Sequence, residues 1–307
     1  MGPRDDRRTL RMVITDSGLG GLSICAELEK TLRSAAAGRP VELIYVNAWP
    51  DPRWGYNDLP DPESRARVLD KALAVMAGYR PDLILIACNT LSVLYGLTEF
   101  SRKPPVPVRG IIDEGVDLFE DALTRDPEAR LILFGTRTTI ESGEHIRRLT
   151  ARGVTPERMA GATCHRLAAV IDEDPDAPAV AAMIEACVSR ALPDIGTRGT
   201  LTAGLVCTHY TYVRDVFHEV LARETGRKVE ILDPNIRLAR SVASAIRKEI
   251  PPKAGTETVA AAGITVEIIS KIELGEAKRR AIARKIEPVS PSTARALLDA
   301  VWTPDLF

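Results

Sequence analysis

The chain has 307 residues, 45% of them hydrophobic, a formal net charge of −1 and five cysteines. That length supports about two domains, and the balanced charge argues against nucleic acid or an anionic membrane as main partner. No apolar stretch approaches the ~20 residues of a membrane span. Residues 1–8 lack the apolar core of a signal peptide and place Asp6 where a myristoylation signal wants Ser or Thr. A cytoplasmic location is therefore expected.

In chain order, apolar runs alternate with helical periodicity. Residues 10–15 read as a strand, 22–35 as a helix, 41–46 as a strand and 63–79 as an amphipathic helix. A strand at 83–87 runs into Cys88-Asn89-Thr90, and the proline-rich linker 102–107 follows. A second series opens with a strand at 108–111, a helix at 115–124, a strand at 130–134 and a helix at 140–152. A helix at 179–192 leads to a strand at 204–206, which ends in Cys207-Thr208-His209-Tyr210. A strand at 229–232 and a helix at 236–248 precede a tail with a strand-like 264–272 and basic helix candidates. The Lys278-Arg279-Arg280 run in that tail is expected to be a solvated helix face.

This alternation predicts an α/β protein of two similar parallel-sheet domains facing each other across a central cleft. The first domain is placed at residues 9–105 plus 223–307, with a C-terminal extension from about 251. The second is placed at 106–222.

The five cysteines are scattered, form no zinc spacing and do not suggest a disulfide framework. Cys25 and Cys187 fall in helical patterns and read as small buried hydrophobes. Cys88 and Cys207 differ, because each closes an apolar strand with a polar, Thr-bearing turn behind it. Ligands of open α/β sheets bind at the carboxyl ends of strands. Two thiols so placed suit one site that moves a proton from one face of a carbon to the other.

The turn Asp16-Ser17-Gly18-Leu19-Gly20-Gly21-Leu22 fails as a dinucleotide loop, since Ser23 takes the third glycine position and Asp16 would repel a pyrophosphate. A purely structural turn remains open. The reading preferred here gives the loop's backbone N–H groups a substrate carboxylate, with Asp16 beside the chemistry.

Together with Cys88-Asn89-Thr90, Gly135-Thr136-Arg137-Thr138-Thr139-Ile140-Glu141-Ser142-Gly143 and Cys207-Thr208-His209-Tyr210, this turn resembles the glutamate racemase family of the aspartate/glutamate racemase superfamily. Weaker echoes are Cys164 through Asp172 and Leu232-Asp233-Pro234. The resemblance spans roughly residues 10–250 and implies a two-base racemase with no cofactor and no metal. It implies Cys88 and Cys207 as the bases, Asp16 assisting Cys88, and His209 assisting Cys207. Ser17, Asn89, Thr90, Thr136, Thr139 and Thr208 match its substrate contacts, and Gly55 persists from the family's substrate wall. His145, His165 and His218 are left structural.

That wall otherwise departs from the family along 47–56, where Arg53, Trp49 and Trp54 would make it bulkier and more cationic if they line the cleft, the alternative being that Arg53 is a surface loop residue. The implied function is racemisation of L- and D-glutamate, supplying D-glutamate for peptidoglycan. The alternatives are a racemase of another amino acid or derivative, or a non-catalytic ligand-binding protein on the same scaffold. The implied partner is a small amino-acid substrate, and family habit adds a homodimer.

Overall fold

The computed structural model describes residues 9–33, 40–196, 199–249 and 263–307. The readings made of residues 1–8, of the end of the first helix at 34–35 and of the start of the tail lie outside the described residues. Strands and helices alternate: β1 (Leu10–Asp16), α1 (Leu22–Arg33), β2 (Val41–Asn47), α2 (Pro62–Gly78), β3 (Leu83–Ile86), α3 (Asn89–Tyr95), β4 (Val108–Gly110) and α4 (Ile112–Arg125). Next come β5 (Arg130–Gly135), α5 (Arg137–Glu141), α6 (Glu144–Ala151), β6 (Met159–Thr163), α7 (Leu167–Glu173), α8 (Pro178–Ala191) and β7 (Leu201–Val206). The chain continues through α9 (Arg214–Thr225), β8 (Val229–Leu232), α10 (Pro234–Glu249), β9 (Ile264–Ser270), α11 (Glu276–Ile286), α12 (Pro291–Leu298) and β10 (Val301–Trp302).

The strands form two sheets, ordered β10-β9-β2-β1-β3-β4 and β6-β5-β7-β8. Every strand pairing within them is parallel. Successive side chains of a strand face opposite ways, and β1 divides accordingly. Leu10, Met12 and Ile14 pack with α1 and α10 residues such as Leu28 and Leu238. Val13 packs on the other face with α2 residues such as Leu69 and Leu73. The second sheet splits the same way: Ile132 and Phe134 face Ile184 of α8, while Leu131 and Leu133 face Phe119 of α4. No described helix is long and apolar enough to cross a membrane.

Local sequence sets several element ends. Asp61 caps α2 by accepting the Ser64 N–H at 2.6 Å, with Pro62 in the first turn. The single helix expected at 140–152 is two, because Gly143 at φ +63° breaks it between α5 and α6. The expected division at 105/106 and 222/223 places β4 with the second sheet and β8 with the first. Hydrogen bonding reverses both: β4 extends β3 in the first sheet, and β8 extends β7 in the second.

Two expectations about cysteine and lysine also fail. Cys187 is not simply a packed hydrophobe, since a disulfide joins it to Cys164 with their Cα atoms 5.5 Å apart. The turn after β6 lies against α8, so folding supplies a partner that spacing could not reveal. Within the tail run, Arg280 is solvated and pairs with Glu276, but the Lys278 side chain is only 14% exposed.

Candidate active site

The carboxyl ends of β1, β3, β5 and β7 bring the chemistry-bearing residues together, as a parallel sheet favours. Asp16 ends β1 and is completely buried. Its Oδ2 accepts a hydrogen bond from Thr208 Oγ1 at 2.7 Å, linking the two sheets, while Oδ1 has no partner. Burial pushes the Asp16 carboxyl up, against the opposing charge of His209 and the Thr208 hydrogen bond. Gly21 permits this packing, because a Cβ there would lie 2.9 Å from Asp16 Oδ2.

Cys88 precedes α3, with its Sγ 3.2 Å from Ser17 Oγ. Burial first, and the charge of Asp16 second, push this thiol up to about 12, although Ser17 and the Leu91 backbone favour the thiolate. Cys88 is therefore held as a thiol at neutral pH. Three polar groups near it lack partners: Asp16 Oδ1, both amide atoms of Asn89, and the Tyr56 hydroxyl. Tyr56 is 2% exposed and packs in the same cluster as Cys88. Buried polar groups without partners cost about 1–3 kcal/mol each, so this pocket wall is suited to a polar ligand.

On the other wall, Cys207 ends the run from β7, with its Sγ 3.7 Å from His209 Nδ1. His209 Nε2 lies 2.9 Å from Asp172 Oδ1. Burial pulls the imidazole down, but hydrogen bonds to Asp172 and Cys207 and their charges outweigh it and hold His209 well above its ordinary value. Asp172 is the complementary case. Burial raises it, yet His209, Lys278 and the Leu19 N–H together bring it down to about 2. His209 thus lies between a carboxylate and a sulfur. Gly20 N–H is 3.2 Å from the same Nε2 and can use it as an acceptor only when the ring is neutral.

The glycine loop does not offer its amides as expected. Leu19 N–H donates to Asp172 Oδ1 at 3.0 Å, and Gly20 N–H points to His209. The loop instead approaches the second sheet closely, with the Tyr212 hydroxyl donating to the Leu19 carbonyl, while Tyr45 of β2 donates to the Gly18 carbonyl from the first sheet. The Asp233 echo supports the same turn: Thr211 donates to Asp233, and Asn235 Nδ2 reaches the Thr208 carbonyl at 3.0 Å.

Thr90, Thr136 and Thr139 converge in a triangle of hydroxyls, with oxygens 2.8, 3.1 and 3.3 Å apart. Gly55 is not presented in this way. Its N–H donates to Asp58 at 2.7 Å, and a Cβ would sit 2.8 Å from the Trp49 ring. Arg53 takes the surface position of its two readings. Its side chain is 82% exposed and pairs with Asp51, so the wall gains no cation from it. The loop meets α5 through Asn57, which accepts from Thr138 N and Oγ1 and from Arg137.

His145 is buried with Nε2 unpartnered and is pushed down to about 4, first by burial and then by Arg148, which keeps it neutral. His165 and His218 are exposed, and Cys25 is a buried thiol in α1. Asp172 and Lys278 are the site neighbours that sequence reasoning missed, whereas Tyr56 falls at the end of the departing wall at 47–56. Asp172 carried a signal in the weak echo ending at that residue. Among the described residues, no three His, Cys, Asp or Glu side chains gather in a way that could hold a metal ion.

Comparison with known proteins adds to this geometry. The sequence model of the Asp/Glu/Hydantoin racemase family matches residues 17–242. The glutamate racemase of Aquifex aeolicus is 27% identical over 246 residues, covering 78% of this chain and 85% of the relative. That of Campylobacter jejuni is 31% identical over 147 residues, or 48% of this chain and 54% of the relative. The solved glutamate racemase of Francisella tularensis in complex with D-glutamate has a similar fold, with TM-score 0.65 at 17% identity and coverage of 97% of this chain and 99% of that one.

Proposed function

Because the chain belongs to the Asp/Glu/Hydantoin racemase family and is thus an isomerase, we propose that it interconverts L- and D-glutamate by two-base proton transfer, supplying D-glutamate for peptidoglycan. The observation that carries this reading is the asymmetric pair of thiols. Both are buried free thiols at strand ends, Cys88 beside the Ser17 hydroxyl and Cys207 beside the His209 ring.

In one direction the Cys207 thiolate takes the α-proton, forming an S–H bond as the Cα–H electron pair stays on carbon. The Cys88 thiol then delivers its proton to the opposite face and becomes a thiolate. The negative charge has moved from one sulfur to the other, and the reverse reaction starts from that state. A base must lie within contact of its proton, which is why each face needs its own thiol. Asp16 Oδ1, Asn89 and the Thr90, Thr136 and Thr139 hydroxyls supply acceptors and donors for an ammonium and two carboxylates. Ser17 and Thr208 position Cys88 and Asp16. The thiols are the bases, so the proposed reaction uses no metal or organic cofactor. A homodimer belongs to the proposal through family resemblance.

A second reading, racemisation of another amino acid or derivative, is favoured by one observation. The unpartnered Tyr56 hydroxyl adds a hydrogen-bonding group to the Cys88 wall. The test is a chiral screen of L- and D-amino acids in deuterated water with the wild type, Cys88→Ala and Cys207→Ala. Glutamate should racemise with α-deuteration, and both variants should lose racemisation while remaining folded. Turnover of a different amino acid selects the second reading, and no α-exchange with any amino acid refutes catalysis.

A further inference from the structure

Lys278 stands where ordinary helix chemistry disfavours it. It lies in the first turn of α11, where the positive end of the helix dipole repels a cation. It is also largely removed from solvent, at 14% side-chain exposure. Two carboxylates offset those costs, Asp172 Oδ2 at 3.2 Å and Glu173 Oε1 at 2.6 Å, both at the end of α7. Glu173 is 70% exposed, so its pairing is weak. Asp172 is the buried partner, and its two oxygens are divided. Oδ2 belongs to Lys278, whereas Oδ1 serves His209 and the Leu19 N–H. The order of groups is therefore lysine, carboxylate, imidazole and sulfur, running from the tail to Cys207. Lys278 also lies outside residues 17–242, where the family model matches.

We propose that Lys278 is a positioning residue for the Cys207 half of the reaction: by fixing Asp172 Oδ2 it turns Oδ1 toward His209 and so keeps the ring against Cys207. This inference rests on the two-thiol reading above. The other charged or titratable groups facing Asp172 are Asp16, Tyr45 and Tyr212, and Tyr210 faces Cys207. None of them contacts Asp172 Oδ2.

Positioning and simple electrostatics predict opposite signs. Removing a cation while Asp172 stays in place strengthens its hold on the imidazole, so Cys207 would react as fast or faster. Releasing the carboxylate instead lets the ring drift from the sulfur.

The experiment measures iodoacetamide incorporation at Cys207 and Cys88 separately, by mass spectrometry of the full chain at neutral pH, in wild type, Lys278→Met, Lys278→Arg and Glu173→Gln. Racemisation and thermal unfolding are followed in parallel. Positioning predicts that Lys278→Met slows Cys207 alkylation and lowers kcat about tenfold, the scale of a sub-ångström misplacement. Cys88 alkylation and KM should hold, Lys278→Arg should restore both rates, and Glu173→Gln should behave as wild type. Unchanged or faster Cys207 alkylation in a folded Lys278→Met overturns the proposal, as does failure of Lys278→Arg to restore it. If Lys278→Met does not fold, Lys278→Gln takes its place: slowed Cys207 alkylation that Lys278→Arg does not show supports positioning, and unchanged alkylation refutes it. The thiol readout needs no substrate. Selective loss at Cys207 without racemisation of any amino acid would sink the racemase reading and leave the positioning role standing.

Discussion

Gly20 is the position where a single methyl group should damage the Cys207 wall most directly. A Cβ on Gly20 would lie 2.4 Å from Thr208 Oγ1, 2.5 Å from His209 N and 2.7 Å from His209 Nδ1. Ordinary Cβ contacts begin near 3.4 Å, so the wall must retreat by about 1 Å from the 2.4 Å contact. The hydroxyl cannot simply rotate, because it is committed to Asp16 at 2.7 Å, and the backbone nitrogen has no rotamer to change. Gly20 is not among the glycines with positive φ, so alanine there meets a steric cost and not a conformational one. Overpacking of this kind costs about 1–3 kcal/mol. A displacement near 1 Å in a catalytic group costs about 10²-fold in rate. Gly20→Ala should therefore lower α-deuteration of glutamate about a hundredfold, measured by proton NMR, with a modest drop in denaturant midpoint. Gly78→Ala is the control, since nothing lies within 4 Å of its Cβ. It ends α2, so it should gain less than the about 0.5–1 kcal/mol of a mid-helix exchange and keep full activity. Wild-type turnover and midpoint in Gly20→Ala would show that the loop does not support the wall through this contact.

Acid should uncouple the buried pair. Asp172 is lowered from 3.8 to about 2, so its contribution is present above its unfolded value and lost as pH falls through about 2. The difference amounts to about 2 kcal/mol, and the stability gap between wild type and Asp172→Asn should narrow from about pH 4 downward and close near pH 2 in denaturant titrations. His209 has the opposite sign: being raised, its contribution is full below 6.5 and fades as pH rises through its folded value. Reducing the Cys164–Cys187 bridge, which spans a sequence separation of 23, should cost about 3 kcal/mol of stability on the loop-entropy scale, and an unchanged melting temperature in dithiothreitol would contradict it. Racemisation should survive EDTA and exhaustive dialysis, and restoration of lost activity by a metal or pyridoxal phosphate would defeat the two-thiol scheme.

The strand-ending cysteines were legible because β3 and β7 repeat one pattern, an apolar run closed by a thiol and a threonine-bearing turn. β1, β2 and β5 were legible for a similar reason, since buried parallel strands are nearly continuous runs of Val, Ile and Leu. β6 was not, because Met-Ala-Gly-Ala-Thr is mostly small residues with little strand preference. The sheet that owns β4 or β8 could not be read either, as strands of three or four residues carry no mark of their neighbour. Asp172 is one acid in the run Asp172-Glu173-Asp174, and only its depth against His209 separates it from the other two. Lys278 was misread for the same reason: a basic run looks solvated until the turn of α11 points one member inward. Arg53 was open between cleft and surface, since its place in a motif argued for one and its residue type for the other, and Asp51 holds it at the surface.

β9 has a consequence for how the chain is made. It pairs with β2 along its whole length, Val41 with Ile264 through Asn47 with Ser270, so the first sheet joins early and late segments of the polypeptide. At roughly 5–20 residues per second on the ribosome, the β2 edge waits exposed until residue 270 has emerged. An uncovered strand edge is a template for pairing with other chains. The second sheet, drawn from the continuous stretch between β5 and β8, has all its strands available much sooner. The nascent protein should therefore fold from its middle outward, with the sheet that carries Cys88 completed last and most dependent on protection during synthesis.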